Sequence, residues 1–105
     1  SGPLGTLLDL AKSQKVDLNQ ISVTELAEQF HNFLTKSVKL NLNLASEYLL
    51  MATWLTYLKS KLLLPETEEE EFKAIEVANK LKLQLKKLEL IIKELRSIIN
   101  YNMKK

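Results

Sequence analysis

The sequence contains no cysteine, which excludes a disulfide framework and any metal site built from thiolates. It has only two glycines and two prolines, all within the first 65 residues, while leucine, lysine and glutamate are abundant. Glycine and proline oppose helices most strongly, and the abundant residues are good helix formers. The composition therefore predicts an all-α protein, made of one small domain or of a small domain plus a long helix.

The sequence also lacks a membrane span and a strong excess of one charge. Its longest uncharged stretch, residues 48–58, has 11 residues, whereas a membrane helix needs about 20. The net charge is only +2, so no global basic field marks a dedicated nucleic-acid binder. There is no glycine-rich phosphate loop, and the single histidine, His31, has no second metal ligand of its kind. We therefore expect a cytoplasmic protein that is not an enzyme and has no cofactor, no metal and no membrane contact.

The first two predicted helices have clear starts. One runs from residue 3 to about residue 14, because Pro3 lacks the N–H that would be unpaired at a first helical position. The other follows Ser22, which forms a capping box with Glu25, and ends within residues 36–40. Each helix has one apolar stripe, formed by Leu4, Leu7, Leu8 and Ala11 in the first helix and by Leu26, Ala27, Phe30, Phe33 and Leu34 in the second.

The third predicted helix, within residues 42–65, is apolar around much more than one face. Asn41 or Asn43 would cap it, and Pro65 stops it because proline has no N–H to donate. The face expected to meet the first two helices contains Leu44, Tyr48, Met51, Ala52, Leu55, Leu58 and Leu62. A second face contains Leu50, Trp54, Tyr57 and Leu64, with Lys61 near its rim. The first 65 residues, which we call the head of this chain, are too few to cover both faces easily. We therefore expect the second face to bind another protein, the alternative being that the fourth helix buries it.

The last forty residues change in character. Residues 66–71 are an acidic run, which is either a linker or the first turn of a fourth helix, where carboxylates favour the helix dipole. Further on, apolar residues alternate in steps of three and four, as in a coiled-coil seam; they are Ala78, Leu81, Leu85, Leu88, Ile92, Leu95 and Ile99. Residues 73–105 carry nine Lys or Arg and three Glu. This basic helix could pack on the head, form a parallel dimer, bind a second partner or contact DNA. We place the domain boundary at Pro65, between a helical domain (residues 1–65) and a linker with a long amphipathic helix (residues 66–105).

Several short elements follow one another through residues 2–65. They are Gly2-Pro3-Leu4 with Leu7-Leu8, Asp17 with Ile21, Glu28-Gln29-Phe30, LASEYL at residues 44–49, and KSKLLLP at residues 59–65. In this order they resemble the N-terminal domain of the segregation and condensation protein A family, the bacterial kleisins. Gly5, Thr6 and Trp54 depart from the usual family residues, and Gly5 softens the first helix.

The resemblance implies a three-helix kleisin domain and a non-enzymatic role in chromosome condensation and segregation. It implies that the chain binds the coiled-coil neck of an SMC (structural maintenance of chromosomes) protein and helps to bridge SMC heads. The region after Pro65 would bind a dimer of segregation and condensation protein B, and DNA would be held indirectly by the complex. The family's C-terminal winged helix is not in this sequence, so we expect an N-terminal fragment. The residues expected at the SMC neck are Leu50, Trp54, Tyr57, Lys61 and Leu64. The alternatives are a homo-oligomerising adaptor and a module that contacts DNA through the basic helix.

Overall fold

The computed structural model describes residues 2–40 and 43–104, and this part of the chain folds into four α-helices and one short 3₁₀ helix. The α-helices are α1 (Pro3–Lys12), α2 (Val23–Lys39), α3 (Ser46–Leu63) and α4 (Glu68–Met103), and the 3₁₀ helix η1 (Leu18–Gln20) lies between α1 and α2. No strand occurs in the described ranges. The prediction of an all-α fold with a long fourth helix is confirmed.

α1 ends at Lys12, slightly earlier than the predicted end near residue 14. The chain leaves the helix through a turn, and Lys15 then adopts a left-handed backbone with a φ of 58°. A left-handed residue interrupts the repeating helical dihedral angles, so the helix cannot continue through it.

α2 begins after Ser22, as predicted, because the Ser22 hydroxyl accepts a hydrogen bond of 3.1 Å from the Glu25 N–H. The second hydrogen bond of the predicted capping box, from the Ser22 N–H to the Glu25 side chain, is wrong. The Ser22 N–H donates instead to the side-chain oxygen of Gln14 at 2.9 Å, because the end of α1 brings Gln14 alongside. α2 ends at Lys39, within the predicted range.

α3 begins later than the sequence suggests. The predicted cap at Asn43 is wrong, since residues 43–45 are irregular and the N-cap position is held by Ala45 without a side-chain bond. The irregular segment lets Leu44 pack against the hydrophobic core before the helix starts. The alternative cap, Asn41, lies outside the described residues. α3 ends at Leu63, directly before the residue that Pro65 keeps out of a helical conformation.

A single hydrophobic cluster joins all four helices. Its largest fully buried side chains are Phe30, Leu7, Leu26, Leu55, Leu81 and Leu85. The rings of Phe30, Phe33 and Tyr48 stack with centroids 6.2–6.4 Å apart, and this packing fixes α3 against α2. α3 therefore meets α1 and α2 through the expected face, and α4 also packs on it.

α4 has two halves that differ in their surroundings. Four carboxylates, from Glu68 to Glu71, form its first turn, and the Thr67 hydroxyl caps it by accepting from the Glu70 N–H at 3.1 Å. Side chains of the first half enter the core, whereas residues 93–104 are all exposed. The head that supports α3 thus includes part of α4, and the division of the chain at Pro65 stays a proposal. Within the described ranges, no helix is long and apolar enough to cross a bilayer.

Candidate protein-docking site

The second face of α3 is left open by the rest of the head. Leu50 is 71% exposed, Tyr57 64% and Leu64 79%, while Trp54 is 40% exposed. About 100° further round the same helix from Trp54, Leu55 is buried in the core. We name Leu50, Trp54 and Tyr57, together with Leu64 directly after the helix, the α3 face.

Trp54 separates two depressions in this surface. The groove on one side lies between α3 and α4 and has a volume of about 320 Å³. It is lined by Trp54, Tyr57, Leu58, Lys61, Glu70, Lys73, Ala74 and Val77. The depression on the other side has a volume of about 380 Å³ and lies between Leu50 and Met51 of α3, the start of α1, and α4. α4 therefore lines the depressions on both sides of Trp54 but leaves Tyr57 and Leu50 exposed. Apolar depressions next to exposed aromatic rings suit the anchor side chains of a protein partner.

Lys61 lies at the edge of the groove, where its charge is engaged within the chain. Its ammonium group is 3.3 Å from a carboxylate oxygen of Glu70 and 4.0 Å from one of Glu66, and it lies 5.6 Å from the centre of the Tyr57 ring. The hydrogen bond to Glu70 raises the pKa of Lys61 above its ordinary value. Lys61 is thus a half-buried support for Tyr57 more than a free charge at the rim.

Glu70 fixes the corner between α3 and α4. Its second carboxylate oxygen accepts a hydrogen bond of 2.9 Å from the Glu66 N–H, and this bond is the main reason that the pKa of Glu70 is lowered; the bond from Lys61 adds to the effect. With the Thr67 cap, these contacts hold the start of α4 at the groove. One wall of the groove is therefore formed by residues beyond Pro65.

The predicted seam of α4 is divided between the core and the surface. Leu81 and Leu85 are buried in the head, and Leu88 and Ile92 pack at its edge. Leu95 and Ile99 are both more than half exposed, beyond the head. A parallel dimer along the whole seam would need side chains that the core already holds.

Exposed leucines on α3 extend beyond the face that the sequence indicated. Leu49 and Leu63 are each more than half exposed, and neither belongs to the second face predicted from the sequence. Their exposure could have been predicted from the sequence, because both are large apolar residues outside the face that meets α1 and α2. Their exposure widens the apolar surface next to the α3 face.

Comparison with known proteins identifies the family. The family model for segregation and condensation protein ScpA matches residues 10–96, which include α2, α3 and most of α4. The chain belongs to the ScpA family. This match extends the resemblance of residues 2–65 well into α4.

Relatives in this family share a third to nearly a half of the aligned residues. Segregation and condensation protein A of Bacillus cytotoxicus is 44% identical over 69 residues, which are 66% of this chain and 28% of that protein. The Mycoplasma mobile protein of the same name is 45% identical over 74 residues, 69% of this chain and 30% of the relative. The Ureaplasma parvum protein of the same name is 34% identical over 77 residues, which are 72% of this chain and 26% of that protein. The aligned part of this ScpA-family chain thus spans less than a third of these relatives.

Proposed function

We propose that this chain is a non-enzymatic kleisin segment that acts in chromosome condensation and segregation by docking on the coiled-coil neck of an SMC protein. The observation that carries the proposal is the open α3 face in a chain of the ScpA family. Large contiguous apolar patches on a soluble protein generally mark interaction sites.

The shape of the site fits a helical partner. A coiled coil presents two parallel helices, and a third amphipathic helix laid along them completes a small bundle. α3 has 18 residues, so it can contact about five turns of such a partner. Trp54 and Tyr57 would supply the anchors, with Leu50 and Leu64 at the two ends of the contact.

Other contacts of the proposed complex would lie outside the α3 face. The region after Pro65 would bind a dimer of segregation and condensation protein B, for which the exposed last turns of α4 are available. Bridging of two SMC heads would need parts of the longer relatives beyond the residues that align with this chain. DNA would then be held by the assembled complex.

The test is co-purification and titration calorimetry of this chain with an SMC head that carries its neck. Leu50→Lys places a charge within the proposed apolar contact, and we expect it to weaken binding by about tenfold or more. Val38→Lys is the matched control, because Val38 is also well exposed but lies on α2. Equal binding by both variants would contradict the assignment of the α3 face.

Salt separates this proposal from direct DNA contact through α4. Binding to phosphates weakens steeply as salt rises, because counterions are released from DNA. Apolar docking on a coiled coil depends little on salt. We expect neck binding to persist at high salt, and tight salt-sensitive binding of DNA without any neck binding would favour the DNA-contact alternative.

A further inference from the structure

The outward side of α4 carries an apolar stripe that is distinct from its seam. Phe72, Leu83 and Leu90 are exposed by 71%, 52% and 56%. Leu81 and Leu85, which are buried in the core, lie on the opposite side of the same helix. The stripe therefore points away from the head, and the described part of the chain does not cover it.

Charged residues alternate with the apolar residues of this stripe, and their sign changes along the helix. In alternating steps of three and four, the exposed positions are Glu69, Phe72, Glu76, Asn79, Leu83, Lys86, Leu90 and Lys93. Steps of three and four place residues on one side of a helix, as in a coiled coil. We name these eight residues the outer stripe. Its first half is acidic and its second half is basic.

We propose that the outer stripe pairs with the outer stripe of a second copy of this chain, with the two α4 helices antiparallel. In that arrangement the facing residues are Glu69 with Lys93, Phe72 with Leu90, Glu76 with Lys86, and Asn79 with Leu83. A two-fold axis at the middle of the stripe repeats each contact, as an interface between identical copies requires. Every charge in the stripe then faces an opposite charge, and two of its three large apolar residues, Phe72 and Leu90, face each other.

The same stripe does not fit a parallel pair. Two parallel helices in register would place Glu76 against Glu76 and Lys86 against Lys86, and like charges that face each other across a helical interface are unfavourable. Glu69 and Lys93 each form an exposed ion pair with another residue of α4, and pairing of two copies would exchange these partners. Within the described chain, neither Glu76 nor Lys86 forms an ion pair. Both side chains are therefore free to meet those of a second copy.

Charge also distinguishes a second copy from an anionic surface. A membrane of anionic lipids or a DNA backbone would attract Lys86 and Lys93 but would repel Glu69 and Glu76 at the other end of the stripe. A second copy matches both ends at once. The heads would lie on the two outer sides of the α4 pair, because each head packs on the side of α4 opposite to the outer stripe.

The interface is small, so self-association should be weak and reversible. It is one narrow stripe along about seven turns of α4, with only three large apolar residues per copy, and stable protein pairs usually bury about 1,200 Å² or more in total. We expect a dissociation constant in the micromolar range or weaker. The decisive observation is therefore the response to charge changes more than the affinity itself.

Sedimentation equilibrium of the full chain across a concentration series tests the pairing. The apparent mass should rise from the monomer value of 12.1 kDa towards twice that value. Lys86→Glu should weaken self-association by about tenfold, since it places a second carboxylate opposite Glu76. The double variant Glu76→Lys, Lys86→Glu should restore it, because opposite charges face each other again. In a parallel pair neither change would alter the number of like-charge contacts.

Cysteine cross-linking determines whether the two α4 helices are parallel or antiparallel. The chain has no cysteine of its own, so only the introduced cysteines can form a disulfide. Glu69→Cys and Lys93→Cys chains, mixed and treated with a mild oxidant, should form a mixed disulfide dimer, while each variant alone should not. Circular dichroism of every variant checks the fold, and Val38→Lys is the control for an unrelated surface change.

Three results would overturn the proposal. One is a monomer at every concentration with no cross-linking of the mixed cysteine variants. Another is a disulfide dimer of Glu69→Cys with itself, which would require parallel helices. The third is a chain that stays monomeric but sediments with vesicles of phosphatidylglycerol, which would assign the outer stripe to a membrane surface.

Discussion

At the scale of single residues, three neighbours on α2 hold three different parts of the head. Glu28 pairs with Lys59 of α3 at 2.9 Å. The amide nitrogen of Gln29 donates to the Leu10 carbonyl of α1 at 3.1 Å. Phe30 is almost fully buried in the core. The short element by which the sequence resembles its family thus connects α2 to both of its neighbours and to the core.

Gln29 and Gln14 form the centre of a hydrogen-bonded network between α1 and α2. The Gln14 amide nitrogen donates to the Gln29 side-chain oxygen at 3.0 Å and to the Ser22 carbonyl at 3.1 Å. The Gln29 amide nitrogen also donates to the Ser13 hydroxyl at 2.8 Å. Together these bonds satisfy the polar groups where α1 ends and α2 begins.

Gln29→Ala should destabilise the chain by about 1–3 kcal/mol, because it removes the partly buried hydrogen bonds to the Leu10 carbonyl and the Gln14 amide. Urea unfolding followed by circular dichroism measures the change. Gln20→Ala is the control, since Gln20 is exposed and its side chain forms no hydrogen bond among the described residues. If the two variants unfold at the same urea concentration, the network does not support the fold.

Contacts between residues a few positions apart could be predicted from the sequence. Contacts between residues distant in the sequence could not. The cap at Ser22 depends on residues three apart, so the capping pattern was sufficient to find it. The Gln14–Gln29 contact joins residues fifteen positions apart, and no spacing rule indicates it. The wrong cap at Asn43 has the same origin, because the packing of Leu44 on the core keeps the segment before α3 irregular.

At the scale of helices, α4 shows how a uniform sequence pattern can serve two surroundings. Its apolar repeat continues from residue 78 to residue 99 without interruption, so the sequence alone predicted one continuous seam. Only the first part of this seam packs on the head, where Leu81 and Leu85 are buried in the core. Where the buried part ends depends on the size of the head, which no repeat in α4 encodes.

Leu85→Ala and Leu95→Ala are a matched pair that measures this division. Leu85 is fully buried, so its truncation should cost about 2–5 kcal/mol through lost burial and a cavity. Leu95 is more than half exposed, so the same change should stay within about 0.5 kcal/mol. Thermal and urea unfolding of the two variants provide the comparison. A similar loss of stability in both would mean that α4 is packed along its whole length in solution.

α3 was easier to interpret from its sequence than α4. The helix has more large apolar residues than α1 and α2 can cover, and this excess predicted an open face, with burial by the fourth helix as the alternative. The outer stripe of α4 escaped the same reasoning. Its apolar residues alternate with charged ones, so the pattern is also typical of a solvated helix face.

At the scale of the whole molecule, the α3 face and the outer stripe of α4 lie on different sides of the head. None of the outer-stripe residues lines the groove beside Trp54, whose α4 wall is formed by Lys73, Ala74 and Val77. A chain of this shape could therefore hold a coiled-coil neck on one side and a second copy on the other. The two proposed contacts would then be independent.

If the two surfaces are independent, a substitution in one of them should weaken only the contact made by that surface. Tyr57→Ala removes an exposed aromatic anchor and should weaken binding to the SMC neck by about tenfold or more, with self-association unchanged. Lys86→Glu should reduce self-association and leave neck binding unchanged, because it lies outside the α3 face. Titration calorimetry with the SMC head and neck, and sedimentation of the chain alone, provide the two measurements for each variant. Parallel losses in both measurements for one variant, with its helical content preserved, would show that the neck and the second copy compete for the same side of the head.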